Sequence, residues 1–429
     1  MASPDLRSFL DQQETAGRVW RIADELEPDY QVARRIHDAG ARLLLFERVR
    51  GYGSAVIANL AASRELCAAA VGVAPAKLVA HLAAAAATAG RIEVRSEAPF
   101  MANREQRPDV IRTVPLMRFF PRGERIYATA GVICVRHPQH GVNLSYHRMM
   151  YLGGNRFAVR VCPRHLHQIL ELGGGRAEIA AALGLHPAIG IAAATSGGPD
   201  FDELRFAASL LGGSLDCVDL DGVLVPAGAE LVWRGRFTGE LADEGPFVDL
   251  TGTYDSVRRQ PVLEVTEQLW RDNFLYQVIL PGGSEHRVLM GVPQEPRIYR
   301  AVQNAVAGLR AVALTPGGCG WLHAVIAIEQ RAPGQGKNAG LAALAAHPSL
   351  KRVVVVDTDI DVDDPTAVEW AIATRVQPDR DLVVVTGAHG SSLDPSRDPV
   401  AETTAKWVID ATRPFGARDE EYARVAPPT

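Results

Sequence analysis

The sequence predicts an α/β protein with a β-rich centre, and three observations predict it. Helix and strand patterns alternate through residues 1–105, short β-branched and apolar runs broken by Gly, Pro and Asp fill 106–295, and strand-helix alternation returns over 296–429. A barrel is the natural form for the middle stretch. A chain of 429 residues also exceeds one ordinary core, so the three textures read as three domains with those boundaries.

The elements follow in order. Ser3-Pro4 ahead of Leu6, Phe9 and Leu10 reads as an N-cap, a proline at the first helical position and an apolar stripe. Asp29 to Asp38 repeats the helical spacing with Val32 and Ile36, stops at Gly40, and gives way to the strand-like Leu43-Leu44-Leu45-Phe46. The alanine-rich run Leu78 to Ala89 is a buried or half-buried helix, because it is shorter than the roughly 20 residues a membrane span needs. Gly131 to Val135 and Ala229 to Trp233 are typical of the central strands. In the last third, strands at Ala324–Ile328, Val353–Val356 and Leu382–Val385 alternate with helices from Asn338 and Pro365.

Composition narrows the function classes. With 47% hydrophobic and 22% charged residues the chain matches an ordinary folded enzyme. A net charge of −5 gives no field that would gather nucleic acid or an anionic membrane, so small-molecule chemistry is expected. Five scattered cysteines without a C-x-x-C pair point to a reducing compartment, and Met1 to Asp5 lacks a secretory pattern, so the expected place is the cytoplasm.

Two motifs are decoys. Gly334-Gln335-Gly336-Lys337-Asn338-Ala339 fits G-x-G-x-x-G/A, with Asp357 about 20 residues on, yet Arg331-Ala332-Pro333 parts it from its strand, where a dinucleotide turn needs the first glycine at the strand end. A glycine-bearing loop at an α/β junction is the simpler expectation. The run Asp357, Asp359, Asp361, Asp363, Asp364 lacks the glycine and closing glutamate of a calcium loop, and reads as an acidic turn capping the helix from Pro365.

The residues that carry chemistry lie near position 150. Asn143, Ser145, His147 and Arg148 put an amide, a hydroxyl, an imidazole and a guanidinium in a strand-like apolar setting. Arg164-His165-Leu166-His167 sits at a strand-to-helix junction, a favourable place for a phosphate. Glu244 and Asp249 flank a Gly-Pro turn, and two carboxylates beside an arginine can be driven to different pKa values. In a regular strand Asn143 and Arg148 face opposite sides, so the strand is expected to end or bend between them.

Here the residues resemble a family. Gly123-Glu124-Arg125-Ile126-Tyr127-Ala128-Thr129-Ala130-Gly131-Val132, running into Asn143-Leu144-Ser145-Tyr146-His147-Arg148, is similar to the UbiD family of prenylated-FMN-dependent decarboxylases, as is Glu244-Gly245-Pro246-Phe247 with Asp249. The likeness extends from Asp5-Leu6-Arg7-Ser8-Phe9-Leu10, through Leu44-Leu45-Phe46-Glu47-Arg48-Val49-Arg50-Gly51, to Lys406-Trp407-Val408-Ile409-Asp410-Ala411-Thr412. It implies an N-terminal α/β unit, a central split β-barrel that binds the flavin, and a C-terminal α/β domain that builds a homodimer or higher homo-oligomer. It implies that Asn143, His165 and Glu203 hold a divalent metal, Mn²⁺ or Mg²⁺, at the cofactor phosphate with K⁺ nearby. Two oxygen ligands and an imidazole suit such an ion. Glu203 is placed by Asp202-Glu203-Leu204-Arg205-Phe206-Ala207. Ser145, Tyr146, His147, Arg148, Arg164, His165 and Lys406 fall at the flavin, and Arg148, Glu244 and Asp249 are the catalytic set, Asp249 matching the proton donor.

The activity so implied is non-oxidative, reversible decarboxylation of an unsaturated carboxylic acid, with aromatic or heteroaromatic acids expected because an extended π-system can bond covalently to the modified flavin and leave it again. Carbon dioxide is the other product, and a flavin prenyltransferase is the implied cofactor supplier. Two other readings remain from the residues: an NAD-dependent oxidoreductase using the Gly334 loop, and a non-catalytic flavin-binding protein.

Overall fold

A computed structural model of the chain describes residues 3–122, 125–137, 141–198, 200–422 and 424–425. Met1, Gly123 and Glu124, which the sequence reading used, lie outside the described residues. The chain forms two units, Met1–Leu78 with Ala84–Leu289, and Val79–Ala83 with Met290–Thr429.

In the first unit the opening helix is Leu6–Thr15, and its cap is Asp5 rather than Ser3. Asp5 accepts the Ser8 N–H and the Ser8 hydroxyl answers at the Asp5 backbone, a reciprocal box that out-competes a lone serine. Ser3 instead pairs with Asp216. The sheet beside this helix has four strands, in the order Val19–Leu26, Leu43–Val49, Ala55–Ala58 and Leu275–Val278. Alternation divides its middle strand: Leu43 and Leu45 meet Leu6, Phe9 and Leu10, while Leu44 and Phe46 join Val32 and Ile36 of helix Gln31–Ala39. The alanine-rich run forms helix Leu78–Ala85, and no single helix among the described residues is long and apolar enough to cross a membrane.

The centre is a closed antiparallel barrel of six strands, ordered Leu231–Glu244, Arg176–Leu183, Tyr127–His137, Gly141–Gly153, Arg156–Val159 and Arg258–Trp270, with the last pairing back to the first. Closure removes the free edges that a six-stranded sheet would otherwise expose. Phe157 and Trp233 stack at 5.2 Å among the fully buried side chains of its core. Strand Gly141–Gly153 neither ends nor breaks between Asn143 and Arg148. The irregularity sits in its neighbour, where pairing slips between Ala128 and Gly131 opposite Met149 and His147. One continuous strand therefore carries two chemical sets, with Asn143, Ser145 and His147 alternating against Arg148.

The second unit is a five-stranded sheet ordered Leu309–Leu314, His323–Ile328, Arg352–Asp357, Thr403–Ala411 and Leu382–His389. Helices Glu295–Ala305 and Gln335–Ala346 cover one face and Pro365–Arg375 the other, so successive valines of 353–356 are buried alternately in the two cores. The Gly334 loop serves this packing. A Cβ on Gly336 would lie 2.2 Å from the Asp410 carboxylate, and one on Gly340 would lie 2.2 Å from Val408, so these glycines let the helix approach the sheet. In the acidic turn Asp364 caps the Pro365 helix, while Asp357 and Asp359 are held by Arg375 at 3.0 and 2.7 Å.

Candidate functional site

The Glu244 strand ends in Gly245, whose φ of +105° a side chain would strain, and Pro246 follows through a cis peptide bond. The chain then makes a short hairpin, Phe247–Val248 against Tyr254–Asp255, with Asp249 at the start of its loop. These turns bring three carboxylates to Arg148. Its Nε and Nη2 donate to the two oxygens of Glu244 at 2.9 and 3.0 Å, its Nη1 to Asp249 at 3.2 Å, and Nη2 also to Asp255 at 3.3 Å. The guanidinium lies 4.1 Å from the centroid of the Phe247 ring. The Tyr127 hydroxyl donates to Glu244 at 3.2 Å, and Arg258 donates to Asp255.

The carboxylates differ in freedom. Glu244 is fully buried, bidentate on Arg148 and further held by Tyr127. Asp249 keeps 15% of its side chain exposed and has one arginine contact plus the Leu250 N–H at 2.7 Å. Burial works against charge on Arg148, but Glu244, Asp249 and Asp255 outweigh it and raise its pKa. Burial also works against charge on Asp255, but Arg258 and Arg148 prevail and lower its pKa. Glu244 is thus fixed on the arginine, and Asp249 is the freer of the two.

The second cluster joins Asn143 to two helices. Glu203 opens helix Glu203–Leu210, which Asp202 caps, and is 2% exposed. Its Oε2 accepts the Leu144 N–H at 3.1 Å and lies 3.4 Å from Asn143 Nδ2, and its Oε1 is 4.0 Å from His165 Nδ1. No arginine or lysine is paired with it among the described residues, and burial lifts its pKa to about 8. Among the described residues no three His, Cys, Asp or Glu side chains converge as a metal site. Here two do, and the Asn143 amide stands third. An under-compensated buried carboxylate beside an imidazole and a side-chain amide fits a hard divalent cation. His165 begins helix His165–Leu172, whose N-cap residue Arg164 gives no side-chain cap; Arg164 instead donates to Ser196. Open backbone N–H groups beside an arginine fit a phosphate.

The remaining expected residues have definite places. Ser145 Oγ contacts both Asn143 Oδ1 and His147 Nε2, and His147 is buried against the Arg160 carbonyl. Tyr146 points its hydroxyl at helix Pro187–Ala194, where a Cβ on Gly190 would stand 2.6 Å from it. Lys406 lies in the second unit, donating to the Pro348 carbonyl. Sequence reasoning missed Asp255 as part of the arginine cluster. The Thr251-Gly252-Thr253 turn was its available signal, since a hairpin there pairs Asp255 with Phe247.

Comparisons with known proteins agree in order and extent. The family models for the N-terminal, Rift-related and C-terminal domains of 3-octaprenyl-4-hydroxybenzoate carboxy-lyase match residues 10–86, 92–284 and 287–411. The chain belongs to the UbiD family. Within that family it is 42% identical to the anhydromevalonate phosphate decarboxylase of Methanothermobacter thermautotrophicus, over 98% of this chain and 99% of that protein. The enzyme of the same name from Methanocaldococcus jannaschii is 46% identical over 75% of this chain and 77% of its own. The UbiD-class enzyme HmfF from Pelotomaculum thermopropionicum, solved with FMN, superposes with a TM-score of 0.94 at 36% identity, covering 99% of this chain and 98% of that one. The UbiD fold is therefore shared along the whole chain.

Proposed function

We propose that this UbiD-family chain removes carbon dioxide, without oxidation and reversibly, from an α,β-unsaturated carboxylic acid, using prenylated FMN and a divalent metal ion. The observation that carries the reading is Arg148 gripped by buried Glu244 while it also reaches the partly exposed Asp249. Bound prenylated FMN would supply the electron sink for the carbon that loses its carboxylate. Asn143, His165 and Glu203 would hold Mn²⁺ or Mg²⁺, and Arg164 with the N-terminus of helix His165–Leu172 would hold the cofactor phosphate. Arg148, fixed by Glu244, orients the substrate carboxylate. Asp249 then gives its proton to the carbon that carboxylate leaves and recovers one from solvent, so that R–COO⁻ and H⁺ become R–H and CO₂.

The named relatives support a phosphorylated aliphatic acid of the anhydromevalonate phosphate type as substrate. Arg122 and Arg125 lie beside Tyr127 and Phe247 of the carboxylate cluster, and such cations suit a phosphate ester. The aromatic or heteroaromatic acid expected from the sequence is the rival substrate. We also assign the three-part division at 1–105, 106–295 and 296–429, cytoplasmic residence, cofactor supply by a flavin prenyltransferase and dimerisation through the last part to this reading.

The test is turnover by protein co-produced with a flavin prenyltransferase. Carbon dioxide release from anhydromevalonate phosphate, at least about tenfold faster than from furoic, pyrrole-carboxylic or hydroxybenzoic acids, is expected. Preference for an aryl acid overturns the substrate, and turnover with NAD in flavin-free protein overturns the reaction.

A further inference from the structure

We propose that Ser145 and His147 act as a positioning relay that determines which end of the Asn143 amide faces Glu203 and the metal ion. The proposal rests on the metal reading above. It comes from counting protons along one face of strand Gly141–Gly153. His147 Nδ1 lies 2.8 Å from the Arg160 carbonyl, which only accepts, so Nδ1 carries the ring proton. The imidazole is buried, no carboxylate touches it among the described residues, and Arg164 and Arg160 stand near it, so a second ring proton is disfavoured. Nε2 is then a bare lone pair 2.8 Å from Ser145 Oγ, and it takes the one proton serine has.

With that proton committed, Ser145 presents a lone pair to Asn143 across 3.0 Å. As the side chains stand, Asn143 turns Oδ1 to the serine and Nδ2 to Glu203 Oε2 at 3.4 Å. Oxygen then meets oxygen at one end, and the amide nitrogen occupies the place a metal ligand needs at the other. A half-turn about Cβ–Cγ resolves both. Nδ2 donates to Ser145, and Oδ1 faces the gap between Glu203 and His165, where it can bind a hard cation. Glu203 favours one turn of the amide and the His147–Ser145 pair the other, and a cation that satisfies Glu203 releases the amide to follow the relay. Oriented partners of this kind are worth roughly 10- to 100-fold in metal affinity.

Mn²⁺ titration followed by electron paramagnetic resonance, on full-length chain stripped with EDTA, tests this without catalysis. Glu203→Gln is expected to abolish the site, and wild-type binding by that variant overturns the metal reading itself. Ser145→Ala and His147→Phe should each weaken binding about tenfold, and the double variant should bind no worse than either, because each breaks the same chain. Unchanged affinity in the single variants, or losses that add, overturns the relay. Asn143→Asp is a second arm that does not depend on replacing the histidine. A carboxylate offers oxygen whichever way it turns, so Ser145→Ala should cost nothing in that background; a tenfold loss there overturns the relay.

Discussion

Two buried carboxylates on either side of one strand are held in opposite ways. Glu244 meets a guanidinium on both oxygens and a phenol besides, so its charge is answered within the chain. Glu203 meets the Leu144 N–H and an amide at the edge of hydrogen-bond range, and burial raises its pKa to about 8. The difference teaches that the arginine cluster has its charges answered within the chain, whereas the Asn143 cluster does not, and the metal ion proposed above would complete it. In the proposed reading, one holds a geometry through turnover and the other captures a cation.

The strongest way to break this contrast is Glu244→Gln. It leaves Arg148 half paired, and decarboxylation should fall roughly 10²- to 10⁴-fold while the flavin absorbance of the purified protein persists. Activity within about twofold of wild type would remove Glu244 from the reaction. Next in size, saturating Mn²⁺ should raise the melting temperature of wild type by about 3–5 °C and leave Glu203→Gln unmoved. Equal shifts in both proteins would move the metal elsewhere. Asp255→Asn tests the residue missed in the sequence. Arg148 keeps Glu244 and Asp249, so kcat should drop only about tenfold with KM little changed, and a loss as deep as that of Glu244→Gln would make Asp255 an equal partner.

The smallest effect concerns a third style of holding a buried carboxylate. Glu285 accepts the backbone N–H groups of Asn59 and Ala61 at 2.7 and 3.1 Å, and burial lifts its pKa from 4.5 to about 7. A group that binds its proton more tightly folded than unfolded stabilises fully below its unfolded pKa, and that contribution is lost as pH rises through the folded value. Wild type should therefore lose stability from about pH 4.5 to 7 relative to Glu285→Gln, by about 1–3 kcal/mol. Parallel stability curves for the two proteins would show that the backbone amides offset the burial entirely.

Much of the architecture was legible because burial writes itself into pattern. Val353 to Val356 could be read as a strand since both faces are covered, and Leu43 to Phe46 for the same reason. Ser3 was misread because a cap depends on which hydroxyl or carboxylate reaches the free N–H groups, and Asp5 with Ser8 does so twice. The site divides in the same manner. Arg148, Glu244 and Asp249 could be named from resemblance and do converge, but Asp255 enters only through a hairpin pairing that local sequence states weakly. The expected break in the Asn143 strand was an inference from alternation alone, and the slip in the neighbouring strand is a property of pairing.

The four-stranded sheet of the first unit is closed by Leu275–Val278 lying parallel to Ala55–Ala58. On the ribosome those two strands emerge far apart in time, on the order of 10–40 s at ordinary elongation rates of about 5–20 residues per second. Through that interval the earlier strand has one side unsatisfied, with Val56 and Ile57 destined for full burial. This sheet therefore cannot complete its pairing until the barrel has been synthesised, and an N-terminal fragment cut before residue 275 would have to keep that edge open.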